Sequence, residues 1–179
     1  LKSMDQTVLD AGILPDDLDA THARLRELSA EADVIITSGG VSVGEADCLG
    51  QALRGGGSVD LWKLAIKPGK PFTLATYAGT PVLGLPGNPV AALVCALVFA
   101  RPAFSLMAGA GWQEPCGFTV PAAFSKRKKP GRREYLRARL DAQGAADAAF
   151  ELVATRDHAK GAEILIDYGT DASHRLLRL

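Results

Sequence analysis

The chain has 179 residues, 47% of them hydrophobic, and its 20 basic and 20 acidic side chains cancel. That length suits one ordinary domain or two small ones, the apolar share argues against disorder, and the balanced charge gives no global field for nucleic acid or an acidic membrane. Three cysteines (Cys48, Cys95, Cys116) and three histidines (His22, His158, His174) are scattered, which is neither a disulfide framework nor a zinc pattern and points to a reducing, cytoplasmic setting.

The first residues, LKSMDQTVLDAG, lack the long apolar stretch of a signal peptide. Residues 7–14, TVLDAGIL, read as a short strand that Pro15-Asp16-Asp17 breaks. Asp17 is the expected N-cap of a helix over residues 18–32, with apolar positions at Leu18, Leu25 and Leu28. Val34 to Thr37 is a continuous apolar run of the kind buried on both faces of a parallel sheet. A glycine loop follows, then a helix over 46–53, closed by RGGGS. Residues 59–67, VDLWKLAIK, read as one extended segment, with Trp62, Leu64 and Ile66 on one face and Lys63, Ala65 and Lys67 on the other. PFTLATY and PVLGLP are two further strands joined at Ala78-Gly79, and GNP opens a buried helix over 90–107. Its longest apolar run, Val90 to Ala100, is shorter than the roughly 20 residues a bilayer requires.

These elements predict an α/β fold with a mostly parallel sheet covered on both sides, over residues 1–108. Residues 109–114 have the composition of a linker. Residues 115–179 read as a small all-β domain.

Five features carry chemistry. Thr37-Ser38-Gly39-Gly40 ends a strand, where ligands of open α/β sheets bind, and its glycines let backbone N–H groups approach a phosphate, with Ser38 and Ser42 offering hydroxyls. On shape alone, a tight strand-to-helix turn is an equal reading. LPGNPVAAL repeats the logic, with Asn88 as N-cap and Pro89 at the first helical position; a well-capped helix is its plainer reading. Lys63 and Lys67 would stand about 13 Å apart on one strand face, with Lys70 beyond a Pro-Gly turn, to meet a polyanion or else to protect a sheet edge. The acids Glu45, Asp47, Asp16 and Asp17 are the puzzle. A carboxylate about 4 Å from a phosphate costs about 4 kcal/mol at an effective dielectric of about 20, so a cation such as magnesium would have to lie between them. Capping or solvation is the alternative. KRKKPGRR at 126–133 could contact nucleic acid, but a charged hairpin turn around Pro130-Gly131 is the better reading.

In this order and spacing, SGGVSVGEAD, WKLAIKPGKPF and LPGNPVAAL closely resemble the MoeA family, the molybdopterin molybdotransferases related to the C-terminal part of gephyrin. KKPGRREYLRARL resembles the start of that family's C-terminal β-domain, and GILPDDLDATHARL its strand–helix entry to the loop. The resemblance implies a MogA-like, three-layer molybdopterin-binding domain, truncated at its N-terminus, followed by the small β-domain. It further implies that two more domains, and the first strand and helix of this one, lie outside the chain, whose own activity would be weak or nil.

The implied reaction takes adenylylated molybdopterin and molybdate, cleaves the adenylate to release AMP, and inserts molybdenum at the dithiolene, with Mg2+ assisting. By position, Ser38, Gly39, Gly40, Ser42, Gly44, Glu45, Lys70, Pro86, Gly87, Asn88 and Pro89 would bind the cofactor precursor. Asp47 and Asp16 would handle the metal or molybdate, and Lys63 and Lys67 would stabilise anionic groups. The resemblance implies a homodimer for the longer parent, while the balanced charge and short apolar run argue for no nucleic-acid or membrane partner. A non-catalytic molybdopterin-binding module is the alternative. Ala91 stands where the family often has serine, and residues beyond about 155 follow the family pattern poorly.

Overall fold

A computed structural model describes residues 6–40, 47–114, 116–122, 124–125, 127, 130–136, 139–140, 146–147, 152–154 and 163–168. Asp17 starts the first helix as its chemistry dictates: its extended backbone and side-chain oxygen cap α1 (Leu18–Glu31), accepting from the Ala20 N–H at 2.7 Å. The chain then runs through β1 (Ile35–Ser38), α2 (Cys48–Gly56), β2 (Gly57–Lys63), β3 (Ile66–Lys67), β4 (Pro71–Tyr77), β5 (Thr80–Leu85) and α3 (Pro89–Cys95). A π-helical turn (Ala96–Ala100) leads into α4 (Arg101–Met107). Two compact units result: Leu1–Leu64 with Gly69–Cys95, and Ala65–Pro68 with Ala96–Leu179.

The first unit is a four-stranded sheet in the order β1-β5-β4-β2. Only β1 and β5 run parallel; β5–β4 and β4–β2 are antiparallel. The sheet is therefore mixed rather than mostly parallel. Its cause is local: β4 and β5 are joined by two residues, Ala78 (φ 49°) and Gly79 (φ 86°), a left-handed turn that can only reverse the chain.

Register places Ile35, Val82 and Ala75 in one row, with Tyr77 and Thr80 in the next row but one. This face carries the core, where Leu25 and Leu28 of α1 and Ala52 and Leu53 of α2 pack on Ile35, Ala75, Tyr77 and Val82. Burying each large apolar side chain contributes about 1.5–3 kcal/mol. Polar ties hold α1 to the same face: His22 Nδ1 lies 2.9 Å from the Tyr77 hydroxyl, and Thr80 Oγ1 donates to the Ser29 carbonyl at 3.0 Å. Gly56, at the end of α2, lies against the Tyr77 ring, where a Cβ would come within 2.1 Å of Cε2. Leu83 and Leu85, on the opposite face, are buried too, and α3 packs against β5.

The second unit holds a five-stranded sheet in the order β3-β7-β10-β11-β6, where β6 is Cys116–Pro121, β7 Arg133–Leu136, β10 Leu152–Ala154 and β11 Glu163–Tyr168. A separate ladder joins β8 (Arg139–Leu140) to β9 (Ala146–Asp147).

Several expectations are corrected. Residues 7–14 form no strand: Val8, Leu9 and Ile13 are exposed, and an extended segment without a paired neighbour makes no ladder. The extended run 59–67 breaks at Leu64-Ala65, and its two halves join different sheets. The helix expected at 46–53 starts at Cys48 and continues through Gly55-Gly56. The helix at 90–107 is interrupted by the π turn just before Pro102, whose missing N–H and ring disturb the preceding ladder. That helix is also only partly buried, with Leu93, Leu106 and Met107 exposed. Taken whole, Pro89–Met107 is long and apolar enough to cross a membrane by length and composition, a test that core helices also pass. Pro130-Gly131 does form a turn, and among the described residues the flanking strands β6 and β7 are not paired with each other.

Candidate functional site

Parallel pairing puts the carboxyl ends of β1 and β5 at one edge of the first sheet, and both glycine loops leave from there. Gly39 (φ 90°) and Gly40 (φ 64°) turn the chain out of β1 in the left-handed region that glycine tolerates. The Gly39 N–H donates to the Leu85 carbonyl at 3.0 Å, stitching the first loop to the end of β5. A Cβ on Gly87 would lie 3.5 Å from the Gly39 Cα, so the second loop rests directly on the first. Ser38, Gly40, Gly87, Asn88 and Pro89 are exposed, whereas Pro86 is buried beneath them.

Asn88 caps α3: its Oδ1 accepts from the N–H groups of Val90 (3.0 Å) and Ala91 (3.1 Å), with Pro89 as the first helical residue. Asp47 caps α2 in the same way, accepting from the Gly50 N–H at 3.2 Å. Asp47 differs in being buried, and its second oxygen, Oδ2, has no hydrogen-bond partner. Burial pushes its carboxyl above the ordinary carboxylate range. The N–H groups of Gly50 and Leu49 and the charge of Arg54 pull the other way, and Asp16 adds a further push upward. Asp16 is thus within electrostatic reach of Asp47. It also takes a hydrogen bond from the Cys48 thiol, the main cause of that thiol's raised pKa. Cys48 is a neighbour of the site that residue counting missed; its position directly after Asp47 was the available signal.

Antiparallel pairing of β4 on β5 and of β2 on β4 brings Pro71 and Lys63 to the same edge as Leu85. Lys63 is exposed there, and so is Lys70, whose carbonyl accepts from the Leu64 N–H at 2.9 Å. Lys67 is different. It lies in β3, belongs to the second unit and pairs in register with Glu134. Lys63 and Lys67 therefore do not share a strand face, because the strand ends between them. Ser42, Gly44 and Glu45 lie outside the described residues. The edge thus gathers Ser38, Gly39, Gly40, Asp47, Lys63, Lys70, Pro86, Gly87, Asn88 and Pro89, with Asp16 beside Asp47. Of the basic run, Lys126, Lys128 and Lys129 are outside the described residues, and Arg132 pairs with the buried Glu134 at 3.1 Å.

Adjacent glycine loops beyond the carboxyl ends of two parallel strands form an anion-binding arrangement, as in other open α/β sheets. The sequence profile described as "Probable molybdopterin binding domain" matches residues 1–105. The chain belongs to that family.

Among its relatives, the molybdopterin molybdenumtransferase of Haemophilus influenzae is 39% identical over 138 residues, covering 76% of this chain and 34% of the relative. Molybdopterin molybdenumtransferase 2 of Mycobacterium tuberculosis is 36% identical over 167 residues, covering 90% of this chain and 37% of the relative. The chain thus spans about a third of the length of these relatives. A crystal structure of the molybdopterin biosynthesis MoeA protein from Pyrococcus horikoshii superposes with a TM-score of 0.68 at 23% identity, covering 89% of this chain and 43% of that one. The fold is that of MoeA proteins, and the resemblance read from the three motifs holds.

Proposed function

We propose that the chain is the C-terminal part of a molybdopterin molybdenumtransferase, acting in molybdenum cofactor biosynthesis. In this reading the parent protein transfers molybdenum from molybdate to adenylylated molybdopterin with release of AMP. The observation that carries it is the contact between the two glycine loops, Gly39 on Gly87, with the Asp47–Asp16 pair alongside. The Gly40 N–H receives the pterin phosphate beside Gly39, whose own N–H is held by the Leu85 carbonyl, and Ser38 adds a hydroxyl. Lys63 and Lys70 at the same edge balance the adenylate and molybdate charge, the electrostatic positioning that dominates phosphoryl chemistry.

The acid pair suits a divalent cation, which takes one or two carboxylates plus phosphate oxygens. Among the described residues no group of three His, Cys, Asp or Glu side chains could hold a metal. Asp16, exposed, is the carboxylate open to Mg2+; Asp47 is turned inward and contributes charge from behind. When bound, Mg2+ would neutralise phosphate charge as the adenylate leaves.

Assembly as a homodimer, a cytoplasmic location, a small β-domain after residue 115, and the absence of nucleic-acid and membrane partners belong to the same proposal. Arg132 supports it, being paired within the protein rather than offered to a phosphate backbone. The test is AMP release from adenylylated molybdopterin with molybdate and Mg2+, by this chain and by its longer parent. Binding without AMP release by the parent would leave a non-catalytic binding module.

A further inference from the structure

Lys70 is exposed and belongs to the same unit as the two glycine loops. The antiparallel register of β4 on β5 pairs Thr73 with Gly84. Continued three residues past Thr73, it carries Lys70 level with Gly87, the residue that rests on Gly39. A cation on a freely rotating turn would have to be ordered when a ligand arrives, at the expense of affinity. The turn at Lys70 is not free.

It is pinned on both sides of Lys70. The Leu64 N–H donates to the Lys70 carbonyl at 2.9 Å. The Cys95 thiol, at the end of α3, donates to the Gly69 carbonyl at 3.7 Å, a length that reflects the large sulfur. These two carbonyls belong to the two peptide planes that meet at the Lys70 Cα. Each plane is rigid, so holding both fixes φ and ψ of Lys70 and, with them, the direction of its Cα–Cβ bond. Gly69, at φ 113°, supplies the backbone conformation that the turn requires.

Cys95 is suited to this task. It is fully buried, and burial pushes its thiol up to about 12, so the sulfur keeps its proton and remains a donor at neutral pH. Gly69 is buried as well, so its carbonyl is costly to leave without a donor. The same peptide plane presents a second group. In a trans peptide the C=O and N–H point in opposite directions. With the Gly69 carbonyl turned toward Cys95, the Lys70 N–H points away from α3, and it has no acceptor among the described residues. One residue thus offers an ammonium and a main-chain N–H, donors that suit the oxygens of a phosphate or molybdate.

We propose that Cys95 is a positioning residue for Lys70: through the Gly69 carbonyl, its thiol presets the Lys70 N–H and side chain toward the anion held at the glycine loops. This deepens the function proposed above and rests on it for the identity of that anion. Helix α3 then serves the site at both ends, with the Asn88 loop at its start and the thiol at its end.

The test compares Cys95→Ala, which removes the donor, with Cys95→Ser, which supplies one at nearly the size of alanine. Hydrogen exchange of the Leu64 amide, without ligand, reports the pinned turn. Titration with adenylylated molybdopterin reports affinity and the shift of the Lys70 amide resonance. Cys95→Ala should exchange at Leu64 about two- to tenfold faster, bind about two- to tenfold more weakly and show a smaller Lys70 shift. Cys95→Ser should restore all three to within about twofold of wild type. Equal losses in both variants would make the volume of the thiol, and not its donor, the relevant property. Wild-type behaviour of Cys95→Ala would make the contact idle, and faster exchange with unchanged affinity would leave the turn pinned but unused. Each of these three results overturns the proposal. If wild type binds no adenylylated molybdopterin, the function proposed above fails, and the same proteins are read with inorganic pyrophosphate by the same criteria, which keeps the two failures apart. If Cys95→Ala does not fold, Cys95→Val against Cys95→Thr replaces the pair.

Discussion

The loop after β1 and the loop after β5 are built alike and finished differently. Each leaves a parallel strand through glycine and enters a helix capped by a side-chain oxygen three residues ahead of a backbone N–H. Asn88 is neutral, exposed and satisfied by two N–H groups. Asp47 is charged and buried, with one oxygen left over. A neutral exposed cap is what helix stability alone requires. A buried carboxylate is more than a cap requires, since burial penalises its charge, and the proposed function assigns that excess to Asp47 rather than to Asn88.

Five substitutions test that contrast, from the largest effect to the smallest. Asp47→Asn keeps the shape and removes the charge, and should lower AMP release by the parent protein at least about 100-fold. Its stability should be equal to or above that of wild type at neutral pH, because a penalised charge is gone. The pH dependence has a definite sign. The folded Asp47 carboxyl sits above its ordinary value near 3.8, so its stabilising contribution is full below that value and is lost as pH rises through the folded value. Denaturation from pH 3 to 7 should show this loss in wild type and not in Asp47→Asn. Activity retained in the variant would reduce Asp47 to the status of Asn88.

Gly87→Ala separates binding from folding. Its Cβ meets Gly39 at an ordinary 3.5 Å, so the melting point should stay within a few degrees of wild type, while molybdopterin affinity falls roughly tenfold as the loops close over the phosphate approach. Gly40→Ala is its counterpart in the first loop. A φ of +64° and a Cβ 3.2 Å from that of Leu49 predict a stability loss of about 1–2 kcal/mol by urea titration. Asn88→Ala should cost about 1 kcal/mol, seen as a smaller shift of the urea midpoint. Equal losses at Gly40 and Gly87 would mean that both loops are merely structural turns.

The smallest effect reports on Asp16. Its hydrogen bond raises the Cys48 thiol pKa, so Asp16→Asn should increase the fraction of thiolate and speed iodoacetamide alkylation of Cys48 several-fold near pH 8. An unchanged rate would place Asp16 away from the Asp47 end of α2.

What the sequence disclosed was local chemistry. Asp17 and Asn88 cap the helices they were expected to cap, because an oxygen reaching an N–H two or three residues on is decided within one turn. That two strands meet at Ala78-Gly79 was legible for the same reason, whereas the antiparallel reversal there was not. The misread elements depend on distant partners. TVLDAGIL has the composition of a strand, but a strand requires a neighbour. VDLWKLAIK alternates as one strand, yet its halves pair with β4 and β7, so the lysines at 63 and 67 part company. At the site, glycines and acids were visible as types. The stacking of Gly87 on Gly39 and the inward oxygen of Asp47 were not, because both follow from the parallel pairing of β1 with β5.

The central claim is that the two loops form one ligand site. Amide chemical-shift mapping by NMR during titration with molybdopterin tests it most directly. The account predicts that Ser38, Gly39, Gly40, Gly87 and Asn88 shift together with a single affinity. Shifts confined to one loop, or two loops titrating with separate affinities, would contradict it.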